Sequence, residues 1–128
     1  MVSQTEPLTV KTVLIVEDST DIGQFLLQII QEETVFQPLL VTDGFQALKV
    51  VQQVKPALLL LDYGLPVMNG LQLFDQLHST ATFAHLPTIL MTANDRFQQS
   101  ELDSRHILLL KKPFEIDELL TAINSLIP

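Results

Sequence analysis

The sequence predicts an α/β protein: a five-stranded parallel sheet with helices on both faces, built as (βα)5. Three observations predict it. Short β-branched or leucine-rich runs recur five times along the chain. Between them lie stretches whose apolar residues repeat at helical spacing. The central run, Ala57 to Leu61, is apolar at every position, which suits a strand buried on both faces by flanking helices.

The elements follow in order. Val13-Leu14-Ile15-Val16 is a β-branched run closed by Glu17-Asp18, and Ile22, Phe25, Leu26, Ile29 and Ile30 then mark one face of a first helix. Pro38 introduces a second strand, Leu39-Leu40-Val41. Asp43 with Gln46 reads as a capping pair opening a second helix through Phe45, Leu48, Val51 and Val54. Asp62 closes the third strand, and Asn69 with Gln72 opens a third helix carrying Leu71, Phe74 and Leu77. Pro87 precedes Ile89-Leu90-Met91, which ends at Thr92. Asp95 with Gln98 marks a fourth helix, supported only by Phe97 and Leu102. Ile107 to Leu110 form a fifth strand running into Lys111-Lys112-Pro113, and Phe114, Ile116, Leu119, Leu120, Ile123 and Ile127 mark the last helix. Crossovers of this length join parallel strands in a right-handed sense, and the expected doubly wound strand order is 2-1-3-4-5.

A chain of 128 residues holds one domain. Residues 1–11 read as a flexible lead-in and 12–128 as the folded unit. The lack of cysteine excludes disulfides, thiolate zinc sites and a cysteine nucleophile. His78, His85 and His106 are scattered with no i,i+4 pair, which speaks against a histidine metal site. Fifteen acidic residues against seven basic ones give a net charge of −8. A phosphate backbone would be repelled, so no direct nucleic-acid partner is expected. No apolar run approaches the roughly 20 residues of a membrane span, and the N-terminus has no basic start before an apolar stretch; a cytoplasmic protein is expected.

In a sheet of this order ligands bind beyond the C-terminal strand ends, where the connections after strands 1 and 3 part. That rule selects Glu17, Asp18 and Asp62. Three carboxylates at adjacent strand ends repel one another. Oxygen-only ligands point to a hard divalent cation, Mg²⁺ or Mn²⁺, which takes one or two carboxylates, several waters and a phosphate oxygen. Strand 4 ends at Thr92, a hydroxyl donor, and strand 5 at Lys112, a compact positive charge, so the set can hold one phosphoryl group. Singly each residue has a plainer reading: Asp18 as a helix cap, Asp62 as a turn residue, Thr92 and Lys112 as surface polar groups. Their joint placement at four strand ends carries the inference.

VLIVEDS, LLLLDYGLPVMNG, LMTA and LLKKPF, in that order, resemble a bacterial response-regulator receiver domain, over roughly residues 12–127. The resemblance is to the stand-alone, chemotaxis-regulator-like kind, with a flavodoxin-like fold. It implies that Asp62 is the phosphoacceptor, taking a phosphoryl group from a sensor histidine kinase or phosphotransfer protein. It further implies Mg²⁺ bound by Asp18, Asp62, the backbone carbonyl of Gly64 and, through water, Glu17. Thr92 and Lys112 would contact the phosphoryl group, and the Lys112–Pro113 bond would be cis. Lys111 competes for the lysine role, but neighbours on a strand point to opposite faces, and the family's lysine immediately precedes the proline.

Two departures stand out. Leu109 occupies a position that is aromatic in most receivers, and only 20 residues separate Thr92 from Lys112, so a short or irregular fourth helix is expected. Gly64 and Asn94, each two residues past a site residue, flank the path of attacking water in similar proteins; Gly64 would leave it open, unless it merely relieves a turn of positive φ. The expected function is that of a single-domain response regulator signalling through protein–protein contacts, an acceptor and not an enzyme acting on an external substrate. The alternative, prompted by Leu109, is a receiver-like interaction module that works without phosphorylation.

Overall fold

A computed structural model describes residues 10–93 and 99–127. Its elements are β1 (Thr12–Val16), α1 (Thr20–Glu33), β2 (Gln37–Val41), α2 (Gly44–Val50), β3 (Leu58–Asp62), α3 (Gly70–His78), a 3-10 turn at Ala81–Phe83, β4 (Thr88–Thr92), α4 (Gln99–Arg105), β5 (Ile107–Lys111) and α5 (Ile116–Leu126). The strands are all parallel and ordered β2-β1-β3-β4-β5, as expected.

The continuous apolar strands resolve into two interleaved alternating patterns. Val13, Ile15, Leu58, Leu60, Ile89, Met91 and Leu110 face one way, onto Leu26 and Ile30 of α1 and Leu119 and Ile123 of α5. Leu14, Val16, Leu59, Leu61, Leu90 and Ile107 face the other, onto Ala47 of α2, Leu73, Phe74 and Leu77 of α3, and Leu102 of α4. Successive side chains on a strand point to opposite faces, so burial on both requires apolar residues throughout. Burying one leucine side chain is worth about 1.5–3 kcal/mol, and β3 holds four with no exposed surface; it anchors both layers at once.

The helix starts follow from local hydrogen bonding. The Asn69 side chain accepts from the Gln72 amide while the Gln72 side chain accepts from the Asn69 amide, both at 2.9 Å. Asp43 accepts from the Gln46 amide at 2.8 Å. At α1 the cap is Ser19, whose hydroxyl accepts from the Ile22 amide, so the plainer reading of Asp18 as the cap does not hold.

Other expectations shift at element edges. α2 stops at Val50; the chain reaches Val54 in turns, with the Gln53 and Val54 amides both donating to the Val50 carbonyl at 2.9 Å. Phe25 and Phe45, assigned to buried helical faces, are 47% and 57% exposed. Leu26 and Ile30 are buried against the sheet and leave Phe25 on the border of the apolar stripe; Phe45, two positions before the buried Ala47, lies on nearly the opposite side of α2. α4 has only seven residues and one buried apolar side chain, Leu102. The expected Asp95–Gln98 cap, Phe97, Asn94 and most of the N-terminal lead-in lie outside the described residues. Among the described residues no helix is long and apolar enough to cross a membrane.

Candidate metal and phosphoryl site

All five strands end at the same edge of the sheet, and the crevice there opens where β1 and β3 lie side by side. Glu17 continues β1 by one hydrogen bond, its amide donating to Val41 at 3.1 Å, and its side chain is 1% exposed. Asp62, the last residue of β3, is buried, as is Thr92 at the end of β4; Asp18 is exposed. Carboxylate oxygens of Glu17, Asp18 and Asp62 all lie within 4.8 Å of one another. The three acids that the sequence places at strand ends therefore meet at one point.

Strand alternation brings Lys112 rather than Lys111 into the crevice. Asp62 is registered with Met91, and Met91 with Leu110, all on the α1/α5 side of the sheet; Lys112, two residues past Leu110, falls on that side as well. Its amide donates to the Thr92 carbonyl at 2.9 Å, carrying the β4–β5 pairing one residue beyond the strand. Its ammonium then donates to Asp62 Oδ1 at 3.1 Å and to Glu17 Oε1 at 3.2 Å. Lys111 is exposed. The Lys112–Pro113 peptide is cis.

The electrostatics are unbalanced. Burial pushes the Glu17 carboxyl above the ordinary glutamate range, and the nearby negative charge of Asp62 pushes the same way; the Ser19 amide, donating at 3.1 Å, and the Lys112 charge pull it back only in part. For Lys112 burial works against the ammonium, but its hydrogen bond to Asp62 and the charges of Asp62 and Glu17 outweigh that, and its pKa is raised. Three carboxylates gather round an ammonium that bonds two of them, Glu17 and Asp62. An oxygen-only donor set with an excess of negative charge, one member open to solvent, fits a hard divalent cation.

Beside this set Gly64 is exposed, and a Cβ placed on it would approach Asp62 Oδ2 to 3.7 Å, an ordinary contact. No described glycine has positive φ, so the turn explanation for Gly64 falls. The residue with left-handed backbone in this loop is Val67, at φ 66° and 90% exposed.

Sequence reasoning missed the part played by Gly70. A Cβ there would sit 2.7 Å from the Asp62 carbonyl oxygen and 2.9 Å from Tyr63 Cα. The Gly70 amide donates to the Tyr63 carbonyl at 2.9 Å. The first turn of α3 thus presses on the backbone that carries Asp62. Its signal was the last letter of LLLLDYGLPVMNG, legible as a motif but not as a packing constraint.

Residues 13–124 match the sequence signature of the response regulator receiver domain family. The chain is 30% identical over 119 residues to sporulation initiation phosphotransferase F of Bacillus subtilis, covering 91% of this chain and 93% of that protein. It is 33% identical over 117 residues to the sensor histidine kinase TmoS of Ectopseudomonas mendocina, covering 90% of this chain but only 12% of the kinase. Among solved structures, the chemotaxis response regulator CheY4 of Vibrio cholerae superposes with a TM-score of 0.84 at 23% identity, over 93% of this chain and all of that one.

Proposed function

Because the chain belongs to the response regulator receiver domain family, a phosphoacceptor signalling family of two-component systems, we propose that Asp62 takes a phosphoryl group from the phosphohistidine of a sensor histidine kinase or phosphotransfer protein. The observation that carries this reading is the convergence of Lys112 with Asp62 and Glu17 in a crevice of excess negative charge.

Lys112 occupies Asp62 Oδ1, leaving Oδ2 on the Gly64 side as the nucleophile. That oxygen attacks phosphorus, the P–N bond to the donor imidazole breaks with its electron pair left on the ring nitrogen, and an aspartyl phosphate forms. Lys112 and the Thr92 hydroxyl hold the transferred oxygens. Asp18, Asp62, the Gly64 carbonyl and, through water, Glu17 would hold Mg²⁺ or Mn²⁺, which when bound supplies positive charge against the phosphoryl oxygens. The product carries about two negative charges where the carboxylate carried one, spread over the phosphoryl oxygens, and biases the surrounding loops, so the signal leaves by altered protein–protein contacts. No observation favours a phosphorylation-independent module.

Incubation with a small phosphodonor and Mg²⁺, followed by intact and peptide mass spectrometry, tests the reading. One phosphoryl group on Asp62, absent from Asp62→Asn, is expected. No adduct, or an adduct elsewhere, overturns it.

A further inference from the structure

The loop joining β3 to α3 turns on a strained residue. The Met68 amide donates to the Pro66 carbonyl at 2.7 Å, and Val67 between them has φ 66°. A hydrogen bond from i to i+2 around a positive φ is the γ-turn in its rare, strained form. A β-branched side chain raises that cost, because its Cβ crowds the backbone in the left-handed region. Val67 is 90% exposed, so packing offsets almost none of it.

Three contacts hold the chain in this posture. Leu65 is buried in the core layer shared with α2 and α3. The Gly70 amide donates to the Tyr63 carbonyl at 2.9 Å and closes the loop. Met68, half-buried, lies on Gly44, the first residue of α2, where an added Cβ would approach Met68 Sδ to 2.9 Å. Only Pro66 and Val67 separate the Leu65 anchor from the Met68 anchor. The ring of Pro66 fixes its φ, which leaves the reversal to Val67. We propose that the loop from Tyr63 to Gly70 is a strap under tension that opens as a unit while the sheet stays folded. Val67 is its spring, and the contact of Met68 with Gly44 is its latch.

Strain acts on this equilibrium in one direction. Once the strap is open, Val67 returns to extended or right-handed backbone, so the strained turn raises the energy of the closed posture alone. The latch acts the other way, since the Met68 thioether gives up its contact with Gly44 on opening. Segments with few buried contacts open locally, ahead of the rest of the fold, and here Pro66 and Val67 are exposed while Met68 and Asn69 are half-buried. The strap also carries both glycines beside the phosphoacceptor: Gly64 faces Asp62 Oδ2, and Gly70 presses on the Asp62 carbonyl. Opening therefore removes part of the wall around Asp62. Its consequence for the metal and phosphoryl site rests on the function proposed above; the strap itself does not.

Amide hydrogen exchange in the intact chain, followed by NMR without metal or phosphodonor, tests the strap apart from that chemistry. In wild type the buried Gly70 amide is expected to exchange at least roughly tenfold faster than the β3 amides, after correction for intrinsic rates. Val67→Asn puts a residue that tolerates left-handed backbone at the turn and should slow Gly70 exchange about fivefold. Met68→Ala should speed it. Gly70 exchange at the pace of the β3 amides, or unchanged in Val67→Asn, overturns the proposal, as does a Met68→Ala chain that exchanges no faster. Val67 lies at the surface, so its variant keeps the core intact and decides even where Met68→Ala does not fold.

Discussion

The two poles of the sheet use polar groups in opposite ways. At the C-terminal pole Glu17, Asp18 and Asp62 crowd within 4.8 Å with Lys112 bonded to two of them. At the N-terminal pole Asp75 meets Arg105 through a two-pronged pair and His78 sits between two carbonyls. The first arrangement leaves charge unmatched; the second sets the Asp75 carboxylate against the Arg105 guanidinium, one charge to one. A fold can therefore concentrate its electrostatic imbalance where a ligand can relieve it, while satisfied groups elsewhere hold the elements in place. The contrast is also one of burial, since Glu17 is 1% exposed and the Asp75 side chain 52%.

Breaking the site pole should cost most. Lys112→Met leaves Glu17 and Asp62 buried beside each other without their cation, and a loss of about 3 kcal/mol is expected in urea unfolding, the low end for removing one partner of a buried pair because Lys112 is 21% exposed. Adding Asp62→Asn should restore much of that loss, because the two changes act on one cluster and are not additive. If the double variant is as unstable as the sum of the singles, the acids are not coupled through Lys112.

A cation should close the gap between the poles from the other side. Mg²⁺ at 100 times its dissociation constant is expected to stabilise the wild type by about 2.7 kcal/mol, read as a rise in melting temperature that Asp18→Asn sharply reduces. A Mg²⁺ response equal in the two proteins would mean the ion binds elsewhere.

The smallest effect belongs to the opposite pole. The hydrogen bond from Arg105, with its charge, holds the Asp75 carboxyl below the usual aspartate range. A lowered acid contributes stability that is present above the unfolded carboxyl value, near pH 4, and lost as pH falls through the lower folded value. Wild type should therefore exceed Asp75→Asn by at most about 1 kcal/mol at pH 7, the exposed pair being screened by water, and the difference should close on acidification and shrink in high salt.

The fold and the site were not equally legible. Glu17, Asp18, Asp62 and Thr92 could be read because they end runs that burial on both faces makes unmistakable, and the strand end is where a doubly wound sheet binds ligands; Lys112 follows β5, an edge strand only partly buried. Alternation said only that one of Lys111 and Lys112 can enter the crevice; the choice of Lys112 rested on the family resemblance, in which the lysine immediately precedes the proline. Phe25 could not be placed, because helical periodicity locates an apolar stripe but not its edges; Phe45 was misplaced because the stripe of α2 centres on Ala47, nearly opposite it. Gly70 is a matter of a 2.7 Å approach between α3 and the Asp62 carbonyl, which no pattern of residue types encodes.

The sequence by itself determined the alternation of strands and helices, their parallel order and the residues at the strand ends, because these depend on local periodicity and on burial. Only the tertiary structure decided which of those groups touch. Lys112 lies 95 positions from Glu17 and 50 from Asp62 along the chain, and His78, His85 and His106 share a cavity despite their spacing. Contacts between side chains depend on how close the packed layers bring them, to within an ångström, and that distance is set by the whole core at once.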